Sequence, residues 1–318
     1  GWKPKQFTDK DNIIINEAVL KTIKEPNLKI TAERFAKYFL LQKRAVMVES
    51  WIDACDESNK VNGKVMTLRT VTGRMAHNSP NMAQVPATYS PYGKECRILW
   101  TLSDTTKYKL VGTDASGLEL RCLAHYLNDV SYTDEILNGD IHTKNMELAG
   151  IKNRDQAKTF IYAFLYGAGP DKIGKIVGAG KEQGKMLIKR FLSNLPALRR
   201  LREQVENAGR RGKIKAIDGR YLKVRNAHSA LNTLLQGAGA IICKHWLLRM
   251  THRVYYKKLD VKLVASVHDE YQFEVANKDV GEFCSITKIA IKETEDLLKL
   301  RCPLDNDYKV GITWAETH

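Results

Sequence analysis

With 318 residues the chain is long enough for a full hydrophobic core and two or three subdomains around it. Its 43% hydrophobic and 27% charged residues are ordinary for a globular protein, and without a run of about 18 apolar residues no membrane-spanning helix is expected. The net charge of +15, from 51 Lys and Arg against 36 acids, is not ordinary and points to a polyanionic partner, since neutralising phosphates releases counterions. A basic but inert surface carries the same charge, so the class of partner rests on the motifs. The six cysteines (Cys55, Cys96, Cys122, Cys243, Cys284, Cys302) show no C-x-x-C pair, which favours free thiols in a reducing compartment over a zinc site or a disulfide framework. Gly1-Trp2-Lys3-Pro4 is neither a signal peptide nor a start with methionine, so a fragment or processed product is expected.

In chain order, residues 1–60 read as mainly helical after a polar entry, with apolar positions from Phe35 to Val48 interleaved with Lys37, Lys43 and Arg44. Val61–Leu68 suggests strand and turn, and Val71–Pro86 an irregular polar loop. Lys109–Thr113 is a strand and Leu118–Leu127 a helix after Gly117. Residues 134–207 read as several helices broken at Gly139, Gly167–Pro170 and Gly178–Gly180. A hairpin is expected over 213–225 around Asp218-Gly219, then a long apolar helix over Leu231–Lys257. Lys262–Val275 forms a second hairpin with His268-Asp269-Glu270 at its turn, 279–300 a last helix, and 301–318 a tail. Strand, helices, hairpin, helix, hairpin is the order of one α+β core with a helical excursion.

Two acidic motifs carry the chemistry. Asp114-Ala-Ser-Gly-Leu-Glu-Leu-Arg121 follows an apolar run, and His268-Asp269-Glu270 lies between two apolar stretches. Asp114 and Asp269, each where a strand ends, meet if those strands are neighbours in one sheet; alone, each is as well explained as a helix cap or turn residue. Such a pair suits Mg²⁺, which takes oxygen ligands, keeps several waters and needs one or two carboxylates beside substrate phosphates. Between the motifs, Arg154, Lys158, Tyr162 and Tyr166 recur every four residues and Gly167 follows. Arg154 to Tyr162 spans roughly 12 Å of helix axis, the scale of a nucleotide from terminal phosphate to base. Arg offers a planar fork, Lys a point charge and Tyr a flat stacking surface. An amphipathic helix with a solvated basic edge has the same spacing.

Residues 114–121, 154–167 and 268–270 resemble the three signature motifs of family A DNA polymerases, the class containing DNA polymerase I. The resemblance extends to Thr72-Gly73-Arg74, Pro80–Gln84, Asn138–Lys144 and Ala230–Gln236, covers nearly the whole chain, and is nearest to replicative polymerases of short-tailed, T-odd-type bacteriophages. It implies a right-hand fold: a thumb base in 1–60, a palm with an antiparallel sheet in 61–133 and 213–318, and helical fingers in 134–212. It further implies that Asp114 and Asp269, helped by the Ala115 carbonyl, hold two Mg²⁺ ions, with Glu270 supporting the metal site or the primer end. Arg154, Lys158 and His142 would hold the triphosphate, Lys158 acting in the chemical step. Tyr162 would stack by the incoming nucleotide, Tyr166 and Gly167 line the templating-base position, and Glu119 stand where a ribose 2′-hydroxyl falls. Arg74, Asn81, Gln84, Asn232, Gln236 and His268 would contact primer–template DNA, in part through minor-groove acceptors that are nearly the same for every correct pair.

The implied activity is template-directed DNA synthesis from dNTPs, in the cytoplasm of a phage-infected bacterial host, with no membrane partner. No 3′–5′ exonuclease domain is expected within these residues. A separate polypeptide carrying an exonuclease or thumb, or a processivity factor, is the expected partner. Two other readings compete: a single-subunit RNA polymerase, which shares an acidic pair and a Lys…Tyr-Gly helix, and a catalytically silent nucleic-acid-binding subunit. Glu119 argues against the first, and the paired Asp114 and Asp269 against the second.

Overall fold

The computed structural model describes residues 2–4 and 6–318, and the chain divides into two compact units. The first comprises residues up to Lys64 together with His77–Cys96, and the second Val65–Ala76 together with Arg97–His318.

In the first unit, Asn16 accepts a hydrogen bond from the Val19 amide and so caps the short helix α1 (Glu17–Leu20). Pro26, whose missing N–H costs nothing at a helix start, opens α2 (Pro26–Ile52). Leu20, Ile23, Ala32 and Ala36 form a small core, with Trp2, Leu28 and Phe39 packed against it. Strands β1 (Lys64–Met66) and β2 (Ala76–Asn78), a 3₁₀ turn at Met82–Gln84 and helix α3 (Gly93–Ile98) follow in sequence. The loop expected over 71–86 thus holds a short strand and that turn.

The second unit starts with β3 (Tyr108–Ala115) and passes through α4 (Leu118–Leu127), α5 (Val130–Leu137), α6 (Ile141–Ala149), α7 (Arg154–Leu165), α8 (Pro170–Ile176), α9 (Lys181–Asn194) and α10 (Pro196–Arg210). A hairpin, β4 (Lys213–Lys215) and β5 (Tyr221–Lys223), leads to α11 (Ala230–Lys257). Then come β6 (Val261–Val267), β7 (Glu270–Ala276), α12 (Val280–Leu298) and β8 (Asn306–Gly311). The last three strands and β3 make one antiparallel sheet in the order β6-β7-β3-β8, so the chain has the expected α+β class. Helix breaks also fall at Gly150, which closes α6 in the left-handed region at φ 70°, and between Leu195 and Pro196.

One expectation is overturned. Residues 301–318, expected as a tail, carry a strand of the main sheet: β8 pairs with β3 from Leu110↔Gly311 to Ala115↔Asn306. The chain then turns back, and Thr317 lies so close to β3 that a Cβ on Gly112 would stand 2.2 Å from the Thr317 carbonyl oxygen. Glycine at this mid-strand position is what lets the terminal segment cross the sheet.

One core runs through this unit, with Val111, Leu123, Phe160, Phe191, Ile242, Trp246, Val275 and Phe283 all buried. Small residues let α11 approach its neighbours closely: a Cβ on Gly237 would meet Leu222 Cδ1 at 2.3 Å, and one on Gly239 would touch Leu118 Cδ2 at 3.4 Å. Trp246 Nε1 donates to the Thr287 carbonyl at 3.0 Å, and Tyr271 Oη to the Cys243 carbonyl at 2.9 Å, so the polar atoms of these buried rings are satisfied. Among the described residues no helix is long and apolar enough to cross a membrane.

Candidate active site

The sheet brings the two acidic motifs together. Asp114 on β3 is registered opposite Glu270 on β7 and opposite Asp307 on β8, and the Ala115 amide donates to the Asp269 carbonyl at 3.2 Å. Directly opposed residues share a face with Cβ atoms about 5 Å apart, so four carboxylates crowd one edge of the sheet. Asp269 sits on a two-residue turn whose first position needs a left-handed backbone; His268 supplies it at φ 59°, a conformation that costs a residue with a side chain.

The four acids are not equivalent. Burial pushes the Glu270 carboxyl up, but donors outweigh it and hold it below the usual range: His318 Nδ1 at 2.7 Å, Trp314 Nε1 at 2.5 Å and Gln272 Nε2 at 2.6 Å. The buried Arg97 guanidinium lies 3.7 Å away and stacks 4.3 Å from the Trp314 ring. Asp307 accepts from Ser116 Oγ at 2.9 Å. Asp114 and Asp269 have no salt bridge among the described residues. Asp114 is open to solvent yet walled by protein. Loss of surrounding water, then the charges of Asp269, Glu270 and Asp307, raise its pKa to about 8. Both observations describe a carboxylate set among like charges, without a salt-bridge partner among the described residues. No group of three or more His, Cys, Asp or Glu side chains forms a closed metal cage among the described residues. An ion here would draw its remaining ligands from water or a bound substrate, as Mg²⁺ commonly does.

A second set of predicted residues surrounds Glu119. Its carboxylate accepts from Tyr166 Oη at 2.6 Å and from Arg74 Nη2 at 3.3 Å. Burial and then this carboxylate raise the Tyr166 hydroxyl pKa. Gly167 takes φ 77°, and a Cβ there would press on the His228 carbonyl at 3.1 Å. Arg74 and His268 line one recess of about 20 Å³, room for a single water; burial and the Arg74 charge both lower the His268 pKa.

The third set lies on α6 and α7. Asn153 caps α7, accepting from the Asp155 and Gln156 amides, which fixes where Arg154 and Lys158 project. Arg154 grips Asp140 through Nε at 2.6 Å and Nη2 at 3.0 Å, while Asp140 also caps α6 through the His142 amide. Lys158 is exposed without a salt bridge among the described residues. The His142 ring stands 6.2 Å from Tyr162, and its Nδ1 is buried with no hydrogen-bond partner, an atom that calls for a ligand or a water. Burial, then the charges of Lys158 and Arg154, lower the His142 pKa. Tyr162 and Tyr166 both feel the charge of Asp269, which ties this helix to the acidic edge.

Asn232 and Gln236 sit one turn apart on α11, partly exposed, while every other residue from Ala230 to Cys243 is buried. Asn81 and Gln84 lie in the first unit, where Asn81 Oδ1 accepts from the Ala83 amide and caps the 3₁₀ turn. Sequence reasoning missed Asp307 and the donors around Glu270. The Gly311–Trp314 stretch was the available signal, but nothing in its spacing points back to residue 270.

Residues 2–316 match the family described as DNA polymerase family A, and the chain belongs to that family. It is 41% identical over 355 aligned residues to the DNA-directed DNA polymerases of Enterobacteria phage T3 and Escherichia phage T7, covering 100% of this chain and 50% of each relative. The enzyme of Escherichia phage Phieco32 is 35% identical over 72% of this chain and 41% of its own length. The chain thus spans about half the length of the phage polymerases it matches. The POL domain of Pol1 from M. smegmatis, solved with a DNA primer-template and dNTP, has the same fold. Its TM-score is 0.85 at 19% identity, over 99% of this chain and 58% of that one.

Proposed function

We propose that this chain carries out template-directed DNA synthesis, extending a primer 3′-hydroxyl with dNTPs and releasing pyrophosphate. One observation carries the reading: Asp114 and Asp269, on adjoining strand ends, crowd like charges without a cation, next to a helix bearing Lys158 and Arg154. Residues 61–133 and 213–318 then act as palm, 134–212 as fingers and 1–60 as the base of a thumb. Two Mg²⁺ ions held by Asp114, Asp269 and the Ala115 carbonyl would supply activation of the attacking hydroxyl and charge neutralisation at the leaving pyrophosphate.

The chain's own groups do the positioning. Lys158 and the unpartnered His142 Nδ1 donate hydrogen bonds to the triphosphate oxygens, with Arg154 released from Asp140 to join them. Tyr162 stacks on the base. Glu119, held between Tyr166 and Arg74, forms a wall where a 2′-hydroxyl would stand, and Tyr166 with Gly167 lines the templating position. In the second unit His268, Asn232 and Gln236 contact the primer–template; Asn81 and Gln84 are DNA contacts of the first unit taken by itself. Glu270, clamped by His318, Trp314 and Gln272, holds the Asp269 turn in place rather than reaching toward substrate. The setting is phage-type replication in the host cytoplasm, with a separate exonuclease or thumb polypeptide or a processivity factor as partner.

Primer extension tests this. With Mg²⁺ and dNTPs the chain extends a hairpin primer–template, Asp114→Asn and Asp269→Asn abolish extension while sparing DNA binding, and Lys158→Ala slows the single-turnover rate. Extension that survives either aspartate substitution, or a preference for rNTPs, overturns the assignment.

A further inference from the structure

The carboxy-terminal half of α11 presents a second surface, farther along the helix from Asn232 and Gln236. At 100° per residue, Arg249, His252, Arg253, Tyr256 and Lys257 fall within one stripe about 140° wide, and its near end, Arg249, lies about 20 Å along the helix axis from Gln236. With Glu293 of α12 these five residues line an open recess of about 320 Å³. Arg253 holds Glu293 through both Nε and Nη2, and Arg249 Nη1 reaches the same carboxylate at 3.5 Å. One acid therefore fixes two guanidinium groups side by side and leaves their other N–H donors for a further acceptor. Lys257 pairs with Glu282, and Lys258 follows it, exposed. Counting Arg249, Arg253, Lys257 and Lys258 against Glu282 and Glu293 leaves an excess of two positive charges.

Two rings interrupt this charge. Tyr255 and Tyr256 are 77% and 79% exposed, with centroids 5.6 Å apart and planes at 76°. Neither ring belongs to the core, and together they form an exposed aromatic patch that a partner can cover. Cations that follow a backbone, alternating with flat rings that take bases, are the chemistry of single-stranded nucleic-acid binding. An acidic peptide would use the cations and leave the rings idle.

We propose that this stripe is a second nucleic-acid site, which takes single-stranded DNA by stacking a base on Tyr256 and pairing phosphates with Arg249, Arg253, Lys257 and Lys258. From Asn232 to Tyr256 the helix rises roughly 36 Å, so the site stands apart from the proposed primer–template contacts and serves an unpaired stretch of the same or another strand. The inference stands independently of the chemistry assigned to Asp114.

The test is fluorescence anisotropy of a labelled 20-mer of thymidylate in EDTA, added to the chain in the presence of excess unlabelled hairpin primer–template. Tyr256→Ala is expected to weaken binding by about 5- to 100-fold. The double variant Lys257→Gln, Lys258→Gln is expected to lower the slope of log affinity against log salt by about 1.4. Both leave extension of the hairpin unchanged. No binding beside the hairpin, unchanged affinity and slope in the variants, or displacement of the oligonucleotide by polyglutamate through a site indifferent to Tyr256 would each overturn the proposal. A polymerase assay that fails while these binding results hold would count against the proposed activity alone.

Discussion

Replacing Asp114 with asparagine is expected to stabilise the protein in the absence of divalent cations, and to do so only above acidic pH. The carboxyl titrates near 8 in the folded chain against an ordinary value of 3.8. Below pH 3.8 it is neutral in both states and costs nothing. Between about 4 and 8 the unfolded chain ionises while the folded chain holds its proton, so folding loses stability as pH rises through that window. Taken whole, the displacement corresponds to about 5–6 kcal/mol at 1.36 kcal/mol per unit, but Asp114 faces solvent and that figure must be cut. Three like charges at about 5 Å in the dielectric of water give about 0.8 kcal/mol each, so about 2 kcal/mol is the scale. Urea unfolding in EDTA at pH 8 should show Asp114→Asn more stable than the parent by about 1–2 kcal/mol, the gap closing near pH 4. Saturating Mg²⁺ should narrow the gap by stabilising the parent alone. A parent chain as stable as the variant at pH 8 in EDTA would refute the crowding of charge at this edge.

Trp314→Phe keeps an aromatic ring over Arg97 but removes the N–H bound to Glu270; a loss of about 1–3 kcal/mol in urea unfolding is expected, and an unchanged midpoint would mean the carboxylate has no need of it. Gly237→Ala drives a methyl into Leu222 and should cost about 1–3 kcal/mol, read as a lower melting temperature, with relief by Leu222→Ala. Glu119→Ala frees Tyr166 and empties the wall beside the proposed sugar position, so ribonucleotide incorporation relative to deoxynucleotide should rise roughly tenfold. A preference that does not move would remove Glu119 from sugar selection.

The parts of this fold that could be read in advance were those whose physics is local. An apolar run ending in Asp114 and another ending at His268 announced two strand ends, and the sheet did bring them together. Gly117 marked a helix start within its own turn, whereas Asn153, which caps α7, went unread. Strand β8 carried no such signal. As an edge strand it leaves Asp307, Tyr308, Lys309 and Val310 exposed, so apolar and polar residues do not alternate, and its pairing is fixed by contacts with residues almost two hundred positions away. The cage around Glu270 was hidden for the same reason: beside Gln272 of its own strand, Arg97, Trp314 and His318 converge on it from two distant stretches. The terminal crossing could be inferred only from Gly112, a glycine within a strand, once its neighbour was known.

The arrangement of charge argues that stability was not what shaped this edge. Glu270 is buried and accepts from His318, Trp314 and Gln272, so its negative charge is settled within the fold. Asp307 takes a bond from Ser116. Asp114, directly between them in the sheet, receives no cation and is forced toward protonation at neutral pH, while basic residues outnumber acidic ones across the chain. A basic side chain at the exposed position 307, opposite Asp114, would relieve this repulsion, whereas Asp307 there adds to it. Avoidable electrostatic penalties persist where a ligand removes them in the working state. A cation-binding role for Asp114 explains the penalty, its exposure and the settled state of its neighbours together, whereas a turn-forming or capping role explains none of the three.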